Sequence, residues 1–121
     1  MVKALFDTNI LIDHLNGVAK AGTEIALYRD RAISAVSWIE VLVGATSQTE
    51  AAVRALLGEF VVVPLDEAVA ERAVQLRRQY RLKLPDAITL ASAQISGRLF
   101  VTRDEKDFSE GNPGVRIPYR L

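Results

Sequence analysis

Short β-prone runs and helix-length segments take turns along the whole chain, and that alternation leaves few folds open. Residues 2–6 are mostly apolar and end at the polar Asp7-Thr8-Asn9, so they read as a buried strand entering a helix that Gly17 stops. Residues 18–28 form a second helical stretch, interrupted by Gly22. Residues 32–36 read as a strand, and Ser37 with Glu40 has the capping-box spacing of a helix start. Glu50–Leu57 is helical by composition and Gly58 closes it; residues 60–63 are a β-branched strand ended by Pro64. Asp66 caps a longer helix whose Val69, Ala73, Leu76 and Tyr80 share one face. Lys83-Leu84-Pro85-Asp86 breaks that helix and opens another, with Pro85 suited to the first helical position and Asp86 to the first turn. Residues 99–102 and 115–117 supply the last two strands. Such alternation predicts an α/β fold, a parallel sheet covered by helices on both faces. With no linker, repeat or low-complexity segment, residues 1–121 read as one domain.

A parallel sheet has a functional edge. Right-handed crossovers bring helices to start where strands end, and ligand sites collect beyond the carboxyl ends of the strands. Asp7 directly follows the first strand, and Glu40 lies about one helical turn past the second. Asp104 follows the fourth strand by two residues, and Asp86 opens the helix that leads into it. Four carboxylates far apart in the chain are therefore expected on one rim. Singly, each has an ordinary role: helix N-caps for Asp7 and Asp104, a capping-box partner for Glu40, a first-turn acid for Asp86. Together they need compensation, because two carboxylates about 4 Å apart repel by roughly 4 kcal/mol at an effective dielectric near 20. A divalent cation removes that repulsion. Hard oxygen donors suit Mg²⁺ or Mn²⁺ better than Zn²⁺, and an acid-only site around a partly hydrated cation suits phosphodiester hydrolysis.

Composition narrows the reading mainly by exclusion. The chain has no cysteine, so disulfides, thiol nucleophiles and zinc–thiolate sites are out, which fits the cytosol. Lys plus Arg and Asp plus Glu are 15 each, so contact with a polyanion has to come from a local patch. No tract approaches the roughly 18 apolar residues of a membrane span, and the N-terminus lacks the features of a secretory signal. The expectation is a cytoplasmic protein with no membrane association.

Four segments, in order, resemble the motifs of PIN domains. These are residues 6–13 (Phe6-Asp7-Thr8-Asn9 and on), 37–41 around Glu40, 84–91 around Asp86, and 101–108 around Asp104 and Asp107. Order and spacing hold over essentially the full length, and within the family the chain is most similar to VapC-type toxins. The resemblance implies a three-layer domain with a central parallel sheet ordered 3-2-1-4-5, a homodimer, and Mg²⁺- or Mn²⁺-dependent cleavage of RNA. It implies Asp7, Glu40 and Asp86 as core acids, with the fourth ligand at Asp104 or Asp107. Asp104 is favoured as the nearer to the strand end, leaving Asp107 to share the role or act through water. It further implies a cognate antitoxin that occludes the site, often with a basic side chain among the carboxylates. Thr8, Ser37 and Thr102 stand where family hydroxyls hold water or orient a carboxylate, although turn hydrogen bonds explain them equally well.

Other residues carry weaker signals. Arg72, Arg77, Arg78, Arg81 and Lys83 form the densest basic stretch and read first as a solvated helix face, second as a phosphate track. Arg103 is a candidate for a phosphate or carboxylate contact. His14 reads as a surface residue, Trp38 as core or interface, and Asp13 as solvated. Two other readings compete. A phosphoacceptor receiver domain wants an acidic pair after the first strand, an aspartate ending the third and a lysine after the fifth, and none is present. A catalytically silent PIN-fold module for binding or dimerisation is the other alternative, and all four acids are in place against it.

Overall fold

The computed structural model describes residues 1–109 and 111–121. The elements follow as β1 (Ala4–Phe6), α1 (Thr8–Leu15), α2 (Ala19–Ala26), β2 (Arg31–Ser34), α3 (Ala35–Val43) and α4 (Glu50–Leu57), then β3 (Val61–Val63), α5 (Glu67–Tyr80), α6 (Leu84–Ile95), β4 (Leu99–Val101) and β5 (Val115–Arg116). The strands form one sheet in the order β3-β2-β1-β4-β5, and every pairing is parallel. This is the α/β architecture and strand order expected.

Period-two alternation divides the strand side chains between two cores. Phe6, Ile33 and Val101 face one cluster with Ile10, Leu11, Ile25, Val41 and Leu57, contributed by α1 to α4. Leu5, Ala32 and Phe100 face the other, with Val69, Leu76, Ala87 and Ala91 from α5 and α6. The small residues Ala87, Ala91 and Ala93 on α6 are buried, which lets that helix lie close to the sheet. Burying both sheet faces explains why the strands read as near-continuous apolar runs. Among the described residues, no helix is long and apolar enough to cross a membrane.

Several details differ from the sequence reading. β2 ends at Ser34, and Ser34 rather than Ser37 caps α3, accepting from the Ser37 backbone N–H at 3.0 Å. Ser37 lies inside the first turn, fully buried, so no Ser37–Glu40 capping box forms. Gly22 does not interrupt α2. A Cβ there would stand 3.2 Å from His14 Nδ1, so the glycine serves the approach of α1 to α2. Tyr80 leaves the buried face that Val69, Ala73 and Leu76 share and is 55% exposed. The largest departure is Asp13, which is buried rather than solvated.

Candidate active site

The carboxyl ends of β1, β2 and β4 open onto one rim, and the acids predicted there arrive by different routes. Asp7 leaves β1 as the N-cap of α1, taking a backbone N–H from Thr8 at 2.8 Å. Its other oxygen, Oδ2, accepts from Thr102 Oγ1 at 2.8 Å and from Asn9 Nδ2 at 3.4 Å. Thr102 is fully buried just past β4, so the hydroxyl fixes Asp7 relative to the neighbouring strand. Asp7 is therefore both a cap and a member of the rim.

Asp86 sits in the first turn of α6, half-buried. Asp104, also half-buried, lies just after β4 and folds its loop around itself: Oδ1 accepts from the backbone N–H of Lys106 and of Asp107, each at 3.1 Å. That turn carries Asp107 back toward the rim. One oxygen from each of Asp86, Asp104 and Asp107 can be chosen so that all lie within 4.8 Å of one another. Such a set of carboxylate oxygens fits the oxygen coordination of a hard divalent cation. Asp7 and Glu40 stand outside this compact group and join it through the field they share.

That field is visible in the titration of the acids. Burial pushes the Asp7 carboxyl up to about 6, against the lowering influence of its Thr102 and Thr8 hydrogen bonds, and the charges on Asp86 and Asp104 raise it further. Burial also raises Asp86, followed by repulsion from Asp104, Asp107 and Glu40, while Lys83 pulls it down. Asp86 thus feels Asp104, Asp107 and Glu40, and Asp7 feels Asp86 and Asp104. Glu40 is exposed on α3, and its carboxylate takes a hydrogen bond from Thr8 Oγ1 at 2.8 Å.

Two supports of the rim escaped the sequence reading. Asn9 bridges three groups: its Nδ2 donates to Asp7 and Thr102, and its Oδ1 accepts from the Arg103 backbone N–H at 3.2 Å. Beneath it, Asp13 binds the Arg103 guanidinium in two-pronged fashion, at 2.6 and 3.0 Å, and accepts from Tyr119 Oη at 2.8 Å. This ties α1, the loop that carries Asp104, and the C-terminal segment together. Arg103 thus has a carboxylate partner, one of the two contacts expected of it. The hydroxyl of Tyr119 is pushed well above its ordinary value by burial and by its bond to Asp13.

The basic stretch divides. Arg72 is engaged within the protein, donating to Gln94 at 2.6 Å and Gln75 at 2.9 Å, and Arg77 donates to the Leu82 carbonyl. Arg78, Arg81 and Lys83 remain exposed, with Lys83 close enough to act on Asp86. Trp38 is half-buried against the α1–α4 core with Arg54 over its ring at 5.9 Å, and His14 is exposed.

Comparison with known proteins yields consistent matches. The PIN-domain family model matches residues 4–111. Ribonuclease VapC10 of Mycobacterium tuberculosis (strain ATCC 25618 / H37Rv) is 34% identical over 99 residues, covering 75% of this chain and 74% of that protein. Among solved structures, a toxin–antitoxin complex from Klebsiella pneumoniae superposes with a TM-score of 0.93 at 45% identity, over 98% of this chain and 100% of the matched chain. DNA-bound VapBC from Salmonella typhimurium shares the fold, with a TM-score of 0.79 at 23% identity over 96% of each chain.

Proposed function

Because the chain belongs to the PIN-domain family, we propose that it is a metal-dependent endoribonuclease and the toxin of a toxin–antitoxin pair. The observation that carries this reading is the gathering of Asp86, Asp104 and Asp107 within 4.8 Å at the carboxyl edge of the sheet, with Asp7 and Glu40 beside them. Asp7, Glu40, Asp86 and Asp104 are the cation ligands in this reading, and Asp107 shares the site through its own oxygen or through water. Hard oxygen donors make Mg²⁺ or Mn²⁺ the fitting ion. A divalent cation held there supplies Lewis acidity toward a phosphodiester oxygen and lowers the pKa of water.

The chain's own residues prepare that chemistry. Thr102, Asn9 and the Thr8 backbone orient Asp7, and the Thr8 hydroxyl orients Glu40. Asp104 is held by its own loop and tethered to α1 through Arg103 and Asp13. Asp7, raised to about 6, is left ready to exchange its proton for a cation near neutral pH. Lys83 and the exposed Arg78 and Arg81 offer positive charge to an approaching RNA backbone.

The partners follow from the surface. A groove of about 430 Å³ between α1, α3 and α4 is walled by Ile12, Leu15, Val41 and Val53 and includes Glu40 in its lining. Its apolar walls and the Glu40 carboxylate in its lining suit an antitoxin segment that carries a basic side chain. Ile39, Val43, Val61 and Val62 leave an apolar patch on α3 and the edge strand β3, which a second copy would cover in a homodimer. We place the protein in the cytoplasm, where its RNA substrate is found.

The test is cleavage of a mixed RNA pool by antitoxin-free protein with Mg²⁺ or Mn²⁺, with EDTA, and by Asp86→Asn. Cleavage that needs the metal and is lost in a folded Asp86→Asn protein is the expected result. Folded protein that leaves every RNA intact would shift the reading to a silent binding or dimerisation module.

A further inference from the structure

Glu40 is an exposed glutamate, yet its carboxylate is joined to the interior by an unbroken row of hydroxyls. Thr8 Oγ1 stands 2.8 Å from Glu40 Oε1 and also 2.8 Å from Ser37 Oγ. Ser37 Oγ is 3.1 Å from Ser34 Oγ, and Ser34 Oγ is 3.1 Å from Thr89 Oγ1 on α6. Ser34, Ser37 and Thr89 are all buried, with at most 2% of their surface exposed. The row crosses from α6 through the end of β2 and the first turn of α3 to the first residue of α1.

Its direction is fixed by chemistry. An ionised carboxylate accepts only, and each hydroxyl has a single proton to give. Thr8 Oγ1 is placed to donate to either Glu40 or Ser37 and has one proton for the two; with that proton on the charged Glu40 carboxylate, Ser37 donates to Thr8, Ser34 to Ser37 and Thr89 to Ser34. All four O–H dipoles then point toward the Glu40 charge, and each bond polarises the next.

Thr89 is the informative member. A hydroxyl inside a helix ordinarily bonds back to a carbonyl of its own preceding turn. On this same helix Ser92 does so, donating to the Ile88 carbonyl at 2.8 Å, as does the C-cap Ser96, donating to the Ser92 carbonyl at 2.6 Å. Thr89 instead reaches sideways to Ser34, whose oxygen already accepts a backbone N–H as the cap of α3. Capping alone does not require Thr89, and the row does. Thr89 also lies one turn beyond Asp86 on α6, so one helix holds an acid of the rim and anchors the row that ends on Glu40.

We infer that Thr89 and Ser34 are positioning residues for Glu40, acting through Ser37 and Thr8 to hold its carboxylate in register with Asp86. The inference rests on the reading of Glu40 as a cation ligand. An exposed glutamate loses rotamer freedom when it takes a fixed place, and the row imposes that loss before the cation arrives.

The experiment is calorimetric titration of metal-free protein with Mn²⁺, using Thr89→Val, Thr89→Ser, Glu40→Gln and the double variant Thr89→Val/Glu40→Gln, with thermal unfolding of each. Thr89→Val is expected to weaken Mn²⁺ binding about three- to tenfold, and Thr89→Ser to restore it within about twofold. In the Glu40→Gln background, Thr89→Val should cost little more, because the charged carboxylate that the row positions is already gone. Equal affinity of Thr89→Val and the wild type would overturn the inference, as would the same loss in both backgrounds, which marks a general packing defect. Should Thr89→Val fail to fold, Thr8→Val interrupts the row at its half-buried end and is held to the same cycle with Glu40→Gln. If Glu40→Gln itself binds Mn²⁺ as the wild type does, the ligand reading of Glu40 fails first and is identified as the fault.

Discussion

Stripped of metal, the protein should grow less stable as the pH rises through the range where Asp7 ionises. Burial lifts that carboxyl from 3.8 to about 6, so the folded chain holds a proton that the unfolded chain has released. Between those values the native state binds more protons, and the stabilisation from protonated Asp7 is full below about pH 4 and lost as pH rises through about 6. At about 1.4 kcal/mol per pH unit the whole span is worth roughly 3 kcal/mol, and with Asp7 only 6% exposed little of it is screened. Other acids titrate over the same range, so the quantity to measure is the difference from Asp7→Asn. Asparagine keeps the oxygen that takes the Thr8 N–H, but turns an amide toward Thr102 Oγ1, which already accepts from Asn9 Nδ2 and the Asp104 N–H. That mismatch costs about 1–2 kcal/mol at every pH. Asp7→Asn should therefore be less stable than wild type by about 1–2 kcal/mol at pH 4 and more stable by a similar amount above pH 7. Urea unfolding in EDTA from pH 4 to pH 8 reads the crossing directly, and Mn²⁺ at pH 7 should restore the advantage to wild type. A difference that stays flat across the range would refute the reasoning, because burial of the Asp7 charge would then carry no cost.

Three further outcomes follow from other parts of the fold. Asp13→Ala strands the Arg103 guanidinium and the Tyr119 hydroxyl; because the Arg103 side chain is 34% exposed the loss should be about 2–3 kcal/mol, seen calorimetrically as a melting point lower by roughly 10 °C. Arg81 ends α5 at φ 56°, a left-handed conformation that suits glycine, so Arg81→Gly should raise stability by about 0.5 kcal/mol in urea unfolding; a fall would mean the Arg81 side chain holds the turn. Asp104→Asn should weaken Mn²⁺ binding by more than the roughly tenfold expected of Asp107→Asn, since Asp104 is half-buried and braced by two backbone N–H groups whereas Asp107 is exposed; the reverse order in calorimetry would make Asp107 the principal ligand.

The fold could be read from the chain because its elements announce themselves locally. Runs such as residues 60–63 and 99–101 have no polar position to hesitate over, and both faces of the sheet are in fact covered. Boundaries were harder where one residue could serve in two adjacent elements. Ser34 and Ser37 both precede helical residues, and the Ser37–Glu40 spacing matched a capping box. The earlier serine wins the cap because the parallel register of β2 with β3 ends at Ser34 opposite Val63, forcing the chain to turn there. Gly22 misled for a related reason: its role lies in the clearance between two helices, which no single segment displays.

The site was legible to the extent that topology alone determines it. Asp7, Glu40, Asp86 and Asp104 could be gathered on paper because each sits near a strand end or a helix start, and a parallel sheet brings those ends together. What holds them could not be read that way. Asp13 follows Asp7 on an outwardly polar stretch of α1, and nothing nearby in sequence says that Arg103 and Tyr119, 90 and 106 residues later, close over it. Thr89 is equally silent, since it resembles any threonine in a helix until Ser34 is found beside it. The acids are written in local sequence because each must stand at a particular edge, whereas their supports need only be reachable in the folded chain. It follows that a variant which spares every acid of the rim can still disable it, and Asn9, Asp13 and Thr89 are the positions where that should happen first.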